Sequence, residues 1–254
     1  MRIADYLPPA AERLKTERTF LTDGPYYGRA SMAGQCVRQC VYSMLLAAGR
    51  IDVPEDGSRD DLTRSTAFLI GDAIHTWVQE AVRLYDPEAT VEEAWSTDLL
   101  SGHADAVYTD EDGAKVVVEA KSMSASYFHS AMAGGKPRYD HLMQAGVSAY
   151  MLNASKVHVI YICKNAPRSI SPTLEWVLEV PQFEVMMAIE ALEYAAQSAR
   201  DGVIPARLYQ GHEIDLPGDE HTCCRWCPYT ERCLMDGPGV HPLELVDDKW
   251  VVHA

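Results

Sequence analysis

Positively charged residues are scarce in this sequence. Its 254 residues include 22 Lys and Arg against 37 Asp and Glu, which gives a formal net charge of −15. A protein that coats nucleic acid needs Lys and Arg to neutralise phosphates, so the charge argues against this class of function but does not exclude a nuclease.

The shortage of positive charge is uneven along the chain. Residues 50–114 carry sixteen acidic and four basic residues, whereas residues 121–174 carry six basic residues and the single acid Asp140. A path for a DNA backbone is therefore expected along the second segment. The alternative is that these are ordinary solvated side chains. The candidates for DNA binding are Lys136, Arg138, Lys164 and Arg168.

Long apolar runs are also missing. No stretch approaches the roughly 18 apolar residues that a membrane-spanning helix needs. The opening M-R-I-A-D-Y-L-P-P-A lacks the apolar segment of a signal peptide, so we expect a soluble, cytoplasmic protein. Internal repeats are absent, and 47% hydrophobic residues is ample for a sizeable core. We expect an irregular arm over residues 1–30 and a single domain over 31–254.

The seven cysteines are an odd number and lack the spacing of a small secreted scaffold. This favours thiolate ligation of a metal in a reducing compartment over disulfides. One group lies in C-R-W-C-P-Y-T-E-R-C and another lies far upstream, so we expect one buried metal site that joins the chain's ends. The first group is Cys224, Cys227 and Cys233, and the second is Cys36 and Cys40. Zinc would also accept four thiolates.

Hydrophobic periodicity predicts the order of secondary structure. Two helices come first, the first of them from Ser31 to a stop at Gly49 and the second with His75 on it. A β meander, a glycine-rich loop A-M-A-G-G-K-P, a helix, two strands and a long helix follow. This order predicts an α/β fold with a mixed central sheet flanked by helices. The expected ranges are 90–97, 102–109 and 115–121 for the meander, then 139–153, 156–163, 173–180 and 183–200.

Acidic residues at strand ends are the first candidates for chemistry. Asp105 lies in G-H-A-D, and Glu119 and Lys121 lie in V-V-V-E-A-K on the neighbouring predicted strand. Alternate residues of a strand share a face, so Glu119 and Lys121 point the same way. Close carboxylates on adjacent strands can hold divalent cations for phosphodiester hydrolysis. The alternative is a hairpin with a cross-strand ion pair.

His75 is a further candidate ligand. It follows Gly71 by one helical turn, so the glycine leaves room on the same face. A neutral imidazole suits Mn²⁺ or Mg²⁺ beside carboxylates. The alternative is a partly buried histidine with a structural role.

Taken in order, these motifs resemble the RecB-like branch of the PD-(D/E)xK nuclease superfamily. The resemblance is carried by G-x-x-x-H at 71–75, G-H-A-D at 102–105, E-A-K at 119–121 and a following helix with Gln144. The cysteines in G-Q-C-V-R-Q-C and C-x2-C-x5-C make the sequence similar to the iron–sulfur nucleases of that branch. These are the CRISPR-associated Cas four-type exonucleases, AddB-type nuclease domains and phage-encoded relatives.

The resemblance implies roles for the candidate residues. His75, Asp105, Glu119 and the backbone carbonyl of Ala120 would ligate the catalytic metal. Lys121 would position the attacking water and stabilise charge on the phosphate. Gln144 would help to arrange the site. The family's tyrosine four residues after this glutamine is Ser148 here, with Tyr150 two positions beyond.

The resemblance also implies a [4Fe–4S] cluster held by Cys36, Cys224, Cys227 and Cys233. Cys36 is preferred to Cys40 because it precedes Arg38 as in the family's C-x-R, and Cys223 would be spare. The cluster's role would be structural, because hydrolysis needs no redox step.

The expected function is that of a Mg²⁺- or Mn²⁺-dependent DNA exonuclease that processes ends for recombination or replication. An alternative is a nuclease of CRISPR spacer acquisition, and the partners would be DNA and recombination or CRISPR-adaptation proteins. The location would be the host cytoplasm if the protein is phage-encoded. An alternative of another class is a non-catalytic, metal-stapled DNA-binding module.

Overall fold

A computed structural model describes residues 26–52, 61–166, 169–206, 227–237, 239–246 and 249–252. Residues 1–25 of the expected arm, Arg168, Cys223 and Cys224 lie outside the described residues. No helix in the described ranges is both long enough and apolar enough to cross a membrane.

A six-stranded mixed sheet forms the centre of the protein. The order β2-β3-β4-β5-β6 includes one parallel pair, β4 with β5, and β1 pairs in parallel with the start of β3. The mixed central sheet that the sequence predicts is confirmed. The strands are β1 Gly28–Arg29, β2 Thr90–Ser96, β3 Leu100–Thr109, β4 Lys115–Met123, β5 Lys156–Cys163 and β6 Thr173–Glu179.

Six α-helices are described, together with a 3₁₀ turn at Ala30–Met32 and a small antiparallel sheet. The helices are α1 Val37–Ala47, α2 Asp61–Tyr85, α3 Ala125–Gly134, α4 Tyr139–Met151, α5 Gln182–Arg200 and α6 Thr230–Met235. The small sheet contains β7 Val203–Ile204, β8 His241–Val246 and β9 Lys249–Val252.

The helices cover the two faces of the central sheet. On one face, Val78 and Val82 of α2 pack with Val116 and Val118 of β4. These positions follow the 3.6-residue period of a helix and the 2-residue period of a strand. The larger core lies on the other face, where α1, α4 and α5 pack over residues such as Val117. Charged side chains at the end of β4 therefore emerge from a sheet covered on both faces.

The structure corrects three local expectations. Residues 131–134, expected as a loop, are the last turn of α3, which Gly135 ends in the left-handed conformation at φ 63°. The first helix begins at Val37 instead of Ser31, although it stops before Gly49 at φ 65° as expected. Strands β7–β9 were not predicted. The partner of β7 lies far along the sequence in β8, whereas β8 and β9 are neighbours in sequence that the periodicity did not single out.

Gly102 has a packing role. A Cβ at this position would lie 2.5 Å from Cζ2 of Trp95 and 2.9 Å from Cβ of Ala30. Both neighbours are buried, so neither can move away freely. The glycine of G-H-A-D therefore allows the Trp95 indole to lie against β3.

We predict that Gly102→Ala destabilises the protein by about 1–3 kcal/mol, because overpacking forces shifts in a close-packed core. Thermal denaturation would measure the loss. Gly134→Ala is the matched control, since a Cβ at Gly134 meets nothing within 4 Å. An equal melting temperature for Gly102→Ala and wild type would contradict the packing role.

Candidate active site

Strands β3 and β4 separate at the residues that the sequence analysis singled out. Their pairing runs from Thr109 opposite Lys115 to Ala106 opposite Val118. The next residues are Asp105 and Glu119, and here Oδ2 of Asp105 accepts a hydrogen bond of 2.7 Å from the Ala120 amide. A side chain thus replaces the backbone acceptor, and the two carboxylates lie side by side at the fork.

Asp105 also contacts the helix on one face of the sheet. Its Oδ1 lies 3.2 Å from Nδ1 of His75 on α2. Gly71, one turn earlier, lies beside Ser122 of β4, where a Cβ would make an ordinary contact at 3.7 Å with Oγ of Ser122. Burial by itself would raise the pKa of Asp105, but His75 and the Ala120 amide outweigh it and lower the pKa. The bond to Asp105 raises the pKa of His75 against the effect of burial.

Glu119 is the acid whose burial raises its pKa in this site. It is 2% exposed, and burial together with the charge of Asp105 raises its pKa to about 7 even though Lys121 opposes the shift. Nζ of Lys121 lies 2.7 Å from Oε1 of Glu119 and donates to Oε1 of Gln144 at 3.0 Å. Burial would lower the pKa of Lys121, but Glu119 outweighs it and raises the pKa. The site thus places a buried acid with a raised pKa beside a cation.

The donor atoms fit a hard divalent cation in their chemistry. They are two buried carboxylates and an imidazole nitrogen, and Oε1 of Glu119 is buried without a hydrogen bond of good geometry. Among the described residues, no three His, Cys, Asp or Glu side chains are grouped as metal ligands. In this site, His75 bonds to Asp105 and Glu119 pairs with Lys121.

A second cluster joins distant parts of the chain. Oη of Tyr42 on α1 donates to Oδ2 of Asp236 at 2.7 Å, and Oγ of Ser43 donates to Oη of Tyr229 at 3.1 Å. Nη1 of Arg38 donates to the carbonyl of Gly237 at 2.7 Å. The first helix and the late segment 227–237 are therefore held together by hydrogen bonds, and a shared metal site stays a prediction.

Four of the five candidate cluster ligands lie in this described region. Sγ of Cys233 accepts a hydrogen bond of 3.5 Å from Nη1 of Arg38. Cys40 is buried, and burial, with the thiols of Cys36 and Cys227 adding to it, raises its pKa to about 12. The region described here contains no group of three cysteines at metal-binding positions. Of the two upstream candidates, Cys40 interacts with Cys227 of the late segment, and the choice between Cys36 and Cys40 stays a prediction.

The expected DNA-binding residues differ in their surroundings. Lys136 and Lys164 are exposed. Arg138 makes two hydrogen bonds to the carboxylate of Asp140, at 3.0 and 2.9 Å. The charge of Arg138 is therefore already compensated within the protein, whereas the two lysines face solvent.

Sequence reasoning missed three polar side chains near these sites. Arg38 is 1% exposed, although the sequence around it gives no sign of a buried charge. Tyr161 lies directly opposite Lys121 in the pairing of β4 and β5, and His141 hydrogen bonds to Tyr161. His141 lies one turn before Gln144 on α4, a spacing that could have drawn attention to it.

Comparison with solved structures identifies similar folds. The crystal structure of SSO0001 matches with a TM-score of 0.51 at 15% identity and covers 92% of this chain and 96% of its own. An alkaline exonuclease from Laribacter hongkongensis matches with a TM-score of 0.50 at 8% identity, over 69% of this chain and 88% of its own. At such identities the likeness concerns the fold. No family model matches the sequence, and no curated protein does.

We predict that Glu119→Gln stabilises the metal-free protein increasingly as pH rises from about 4.5 to 8, by on the order of 1–3 kcal/mol. The pKa of Glu119 in the folded protein is about 7, above its ordinary value of 4.5. The contribution of Glu119 to the free energy of unfolding is therefore fully present below pH 4.5. It is lost as pH rises through 7, because Glu119 loses its proton at lower pH in the unfolded state than in the folded state. The glutamine variant avoids this loss.

Thermal denaturation in EDTA across this pH range would measure the difference, with exposed Glu190→Gln as the control. A wild type that gains stability over Glu119→Gln with rising pH would show that the native state favours the ionised acid.

Proposed function

We propose that this protein is a Mg²⁺- or Mn²⁺-dependent DNA nuclease. The observation that carries the proposal is the assembly of His75, Asp105, Glu119, Lys121 and Gln144 at the fork between β3 and β4. Buried acids with raised or lowered pKa values, held against a lysine, are typical of functional sites.

The residues present can divide the work of hydrolysis. A divalent cation bound by His75, Asp105, Glu119 and the Ala120 carbonyl would supply Lewis acidity towards the phosphate. Lys121, held between Glu119 and Gln144, is suited to orient the attacking water and to stabilise negative charge on the phosphate. Its amine stays cationic, because its pKa is raised.

The likeness of fold to an alkaline exonuclease supports an exonuclease that trims DNA ends. Lys136 and Lys164 would then contact the DNA backbone in an otherwise acidic protein. We propose end processing for recombination or replication as the role, with CRISPR spacer acquisition as the second candidate. The partners would be the proteins of whichever process applies. The intact set of His75, Asp105, Glu119 and Lys121 speaks against a non-catalytic module, because a lost activity should have cost at least one member.

We also propose that a [4Fe–4S] cluster joins the late segment to the start of α1. Arg38 supports an anionic group at this place, because its Nε and Nη2 are buried without a hydrogen-bond partner in the described structure. A buried charge is costly unless an opposite charge compensates it. Cys233 lies at hydrogen-bond distance from the same guanidinium, and a ligating cysteine is a thiolate.

We predict that Asp105→Ala, Glu119→Ala and Lys121→Ala each lower DNA cleavage at least about 100-fold, because each removes a ligand or the charge beside the water. His75→Ala should be milder or metal-selective, since two carboxylates can still hold a hard cation. End-labelled linear and circular DNA with Mg²⁺, Mn²⁺ or EDTA would measure this.

Lys156→Ala is a matched control for the lysine variant. Nζ of Lys156 also lies 2.7 Å from a strand-end carboxylate, that of Asp110, but at the other end of the sheet. The Lys156→Ala variant should cleave DNA like the wild type. Near-normal cleavage by Lys121→Ala would remove Lys121 from the active site, and absent cleavage by the wild type under every condition would exclude the proposed enzyme.

We predict that protein purified without oxygen is brown, with broad absorbance near roughly 400 nm and about four irons per chain. Cys224→Ala, Cys227→Ala and Cys233→Ala should each lose iron. Of the two upstream candidates, Cys36→Ala should lose iron and Cys40→Ala should keep it. Metal analysis and absorbance would measure these outcomes.

Cys163→Ala serves as the control, because Cys163 is a buried cysteine at the end of β5. The reverse pattern for the upstream pair would make Cys40 the ligand, one helical turn along. If anaerobic protein contains stoichiometric zinc and no iron, the site binds structural zinc and the iron–sulfur cluster is excluded.

A further inference from the structure

His141 and Tyr161 form a polar pair beside Lys121 that the proposed reaction leaves without a role. Tyr161 lies opposite Lys121 in the parallel pairing of β4 and β5, so the two side chains share a face of the sheet. His141 on α4 covers this place, and its Nδ1 lies 2.7 Å from Oη of Tyr161. Gln144, which binds Nζ of Lys121, lies one turn further along the same helix.

The hydrogen bonds determine which nitrogen of His141 carries its proton. The backbone amide of Arg138 donates to Oη of Tyr161 at 2.9 Å, so this oxygen already accepts one bond. Tyr161 is fully buried, and its own hydroxyl proton needs an acceptor. Nδ1 of His141 is the acceptor within reach, because the other contacts of Tyr161 with the described residues are between rings. The proton of the neutral imidazole is therefore on Nε2.

Within the described part of the chain, the Nε2–H group of His141 makes no hydrogen bond. The nearest acidic oxygen there is Oδ2 of Asp140 at 4.0 Å, which is too long for a hydrogen bond. Asp140 is moreover engaged by both guanidinium bonds of Arg138. The His141 side chain is 17% exposed, so a ligand can reach it.

The imidazole is neutral under ordinary conditions. Burial lowers the pKa of His141 to about 4, with the charges of Lys121 and Arg138 acting in the same direction and that of Asp140 opposing them. A neutral donor beside cationic Lys121 suits an anion that bears several acceptor oxygens. It can add a directed hydrogen bond without a second charge to desolvate.

We propose that His141 is a DNA-binding residue whose Nε2–H donates to a non-bridging phosphate oxygen next to the scissile phosphate, and that Tyr161 is its positioning residue. The proposal rests on the nuclease function and deepens it. It extends the contact surface from Lys121 along α4 towards exposed Lys136, which precedes that helix.

The test combines side-chain changes with changes in the DNA. His141→Leu should weaken binding of a linear oligonucleotide at least about tenfold, measured at equilibrium in Ca²⁺, because a hydrogen bond to a charged group is lost. In cleavage with Mg²⁺ the loss should appear in KM more than in kcat. His141→Gln, which keeps a donor, should retain most of the affinity. Tyr161→Phe should cost less, about threefold, because the ring is present but no longer oriented.

A matched control is available on the opposite face of the sheet. Tyr108 and His158 form a similar pair at 3.2 Å, packed in the core with α2. Tyr108→Phe removes the same kind of hydrogen bond without touching the proposed surface, so its KM should equal that of the wild type. Thermal denaturation of each variant would separate binding effects from loss of fold.

The decisive measurement uses oligonucleotides in which one phosphate at a time is a neutral methylphosphonate. Wild-type binding should fall strongly at one position near the cleaved bond, and His141→Leu should be insensitive at that position only. If the wild type cleaves DNA and His141→Leu is as sensitive as the wild type to every methylphosphonate position, the proposal for His141 is overturned and the nuclease function is not. A wild type that neither binds nor cleaves DNA would overturn the nuclease function, and this proposal with it.

Discussion

The hydrogen bond from the Ala120 amide to the Asp105 carboxylate is the constraint on which the candidate site depends. It lies where β3 and β4 stop pairing, and an unpaired amide buried there would cost a full hydrogen bond. The bond orients Asp105 so that its second oxygen meets His75 on α2. One side chain thereby ends a ladder, satisfies the backbone and links the sheet to a helix.

This arrangement is energetically unfavourable for the charge of Glu119. It is buried next to Asp105, and the two acids respond in opposite directions: the pKa of Asp105 is lowered, whereas that of Glu119 is raised to about 7. Natural proteins accept such destabilising charges mainly at functional sites. Lys121 and Gln144 limit the cost and at the same time connect the sheet to α4.

The late segment 227–237 meets α1 through an unusually polar contact. Arg38, Tyr42 and Ser43 all reach across it, and two of the three nitrogens of the Arg38 guanidinium are left without a hydrogen bond in the described structure. Apolar packing between two segments would not need these polar side chains. The polarity is understandable if thiolates collect there, because a buried cation then has its counter-charge.

The sequence by itself determined the features that repeat over short distances. The two-residue period of a strand places Glu119 and Lys121 on one face, and the meander brings Asp105 beside them. Both the mixed sheet and the proximity of these three side chains could therefore be predicted. Only the tertiary structure decided that Gly102 lies beneath Trp95, that Arg38 reaches Gly237 and that His141 binds Tyr161. These contacts depend on how the helices pack on the sheet, and no local period records that packing.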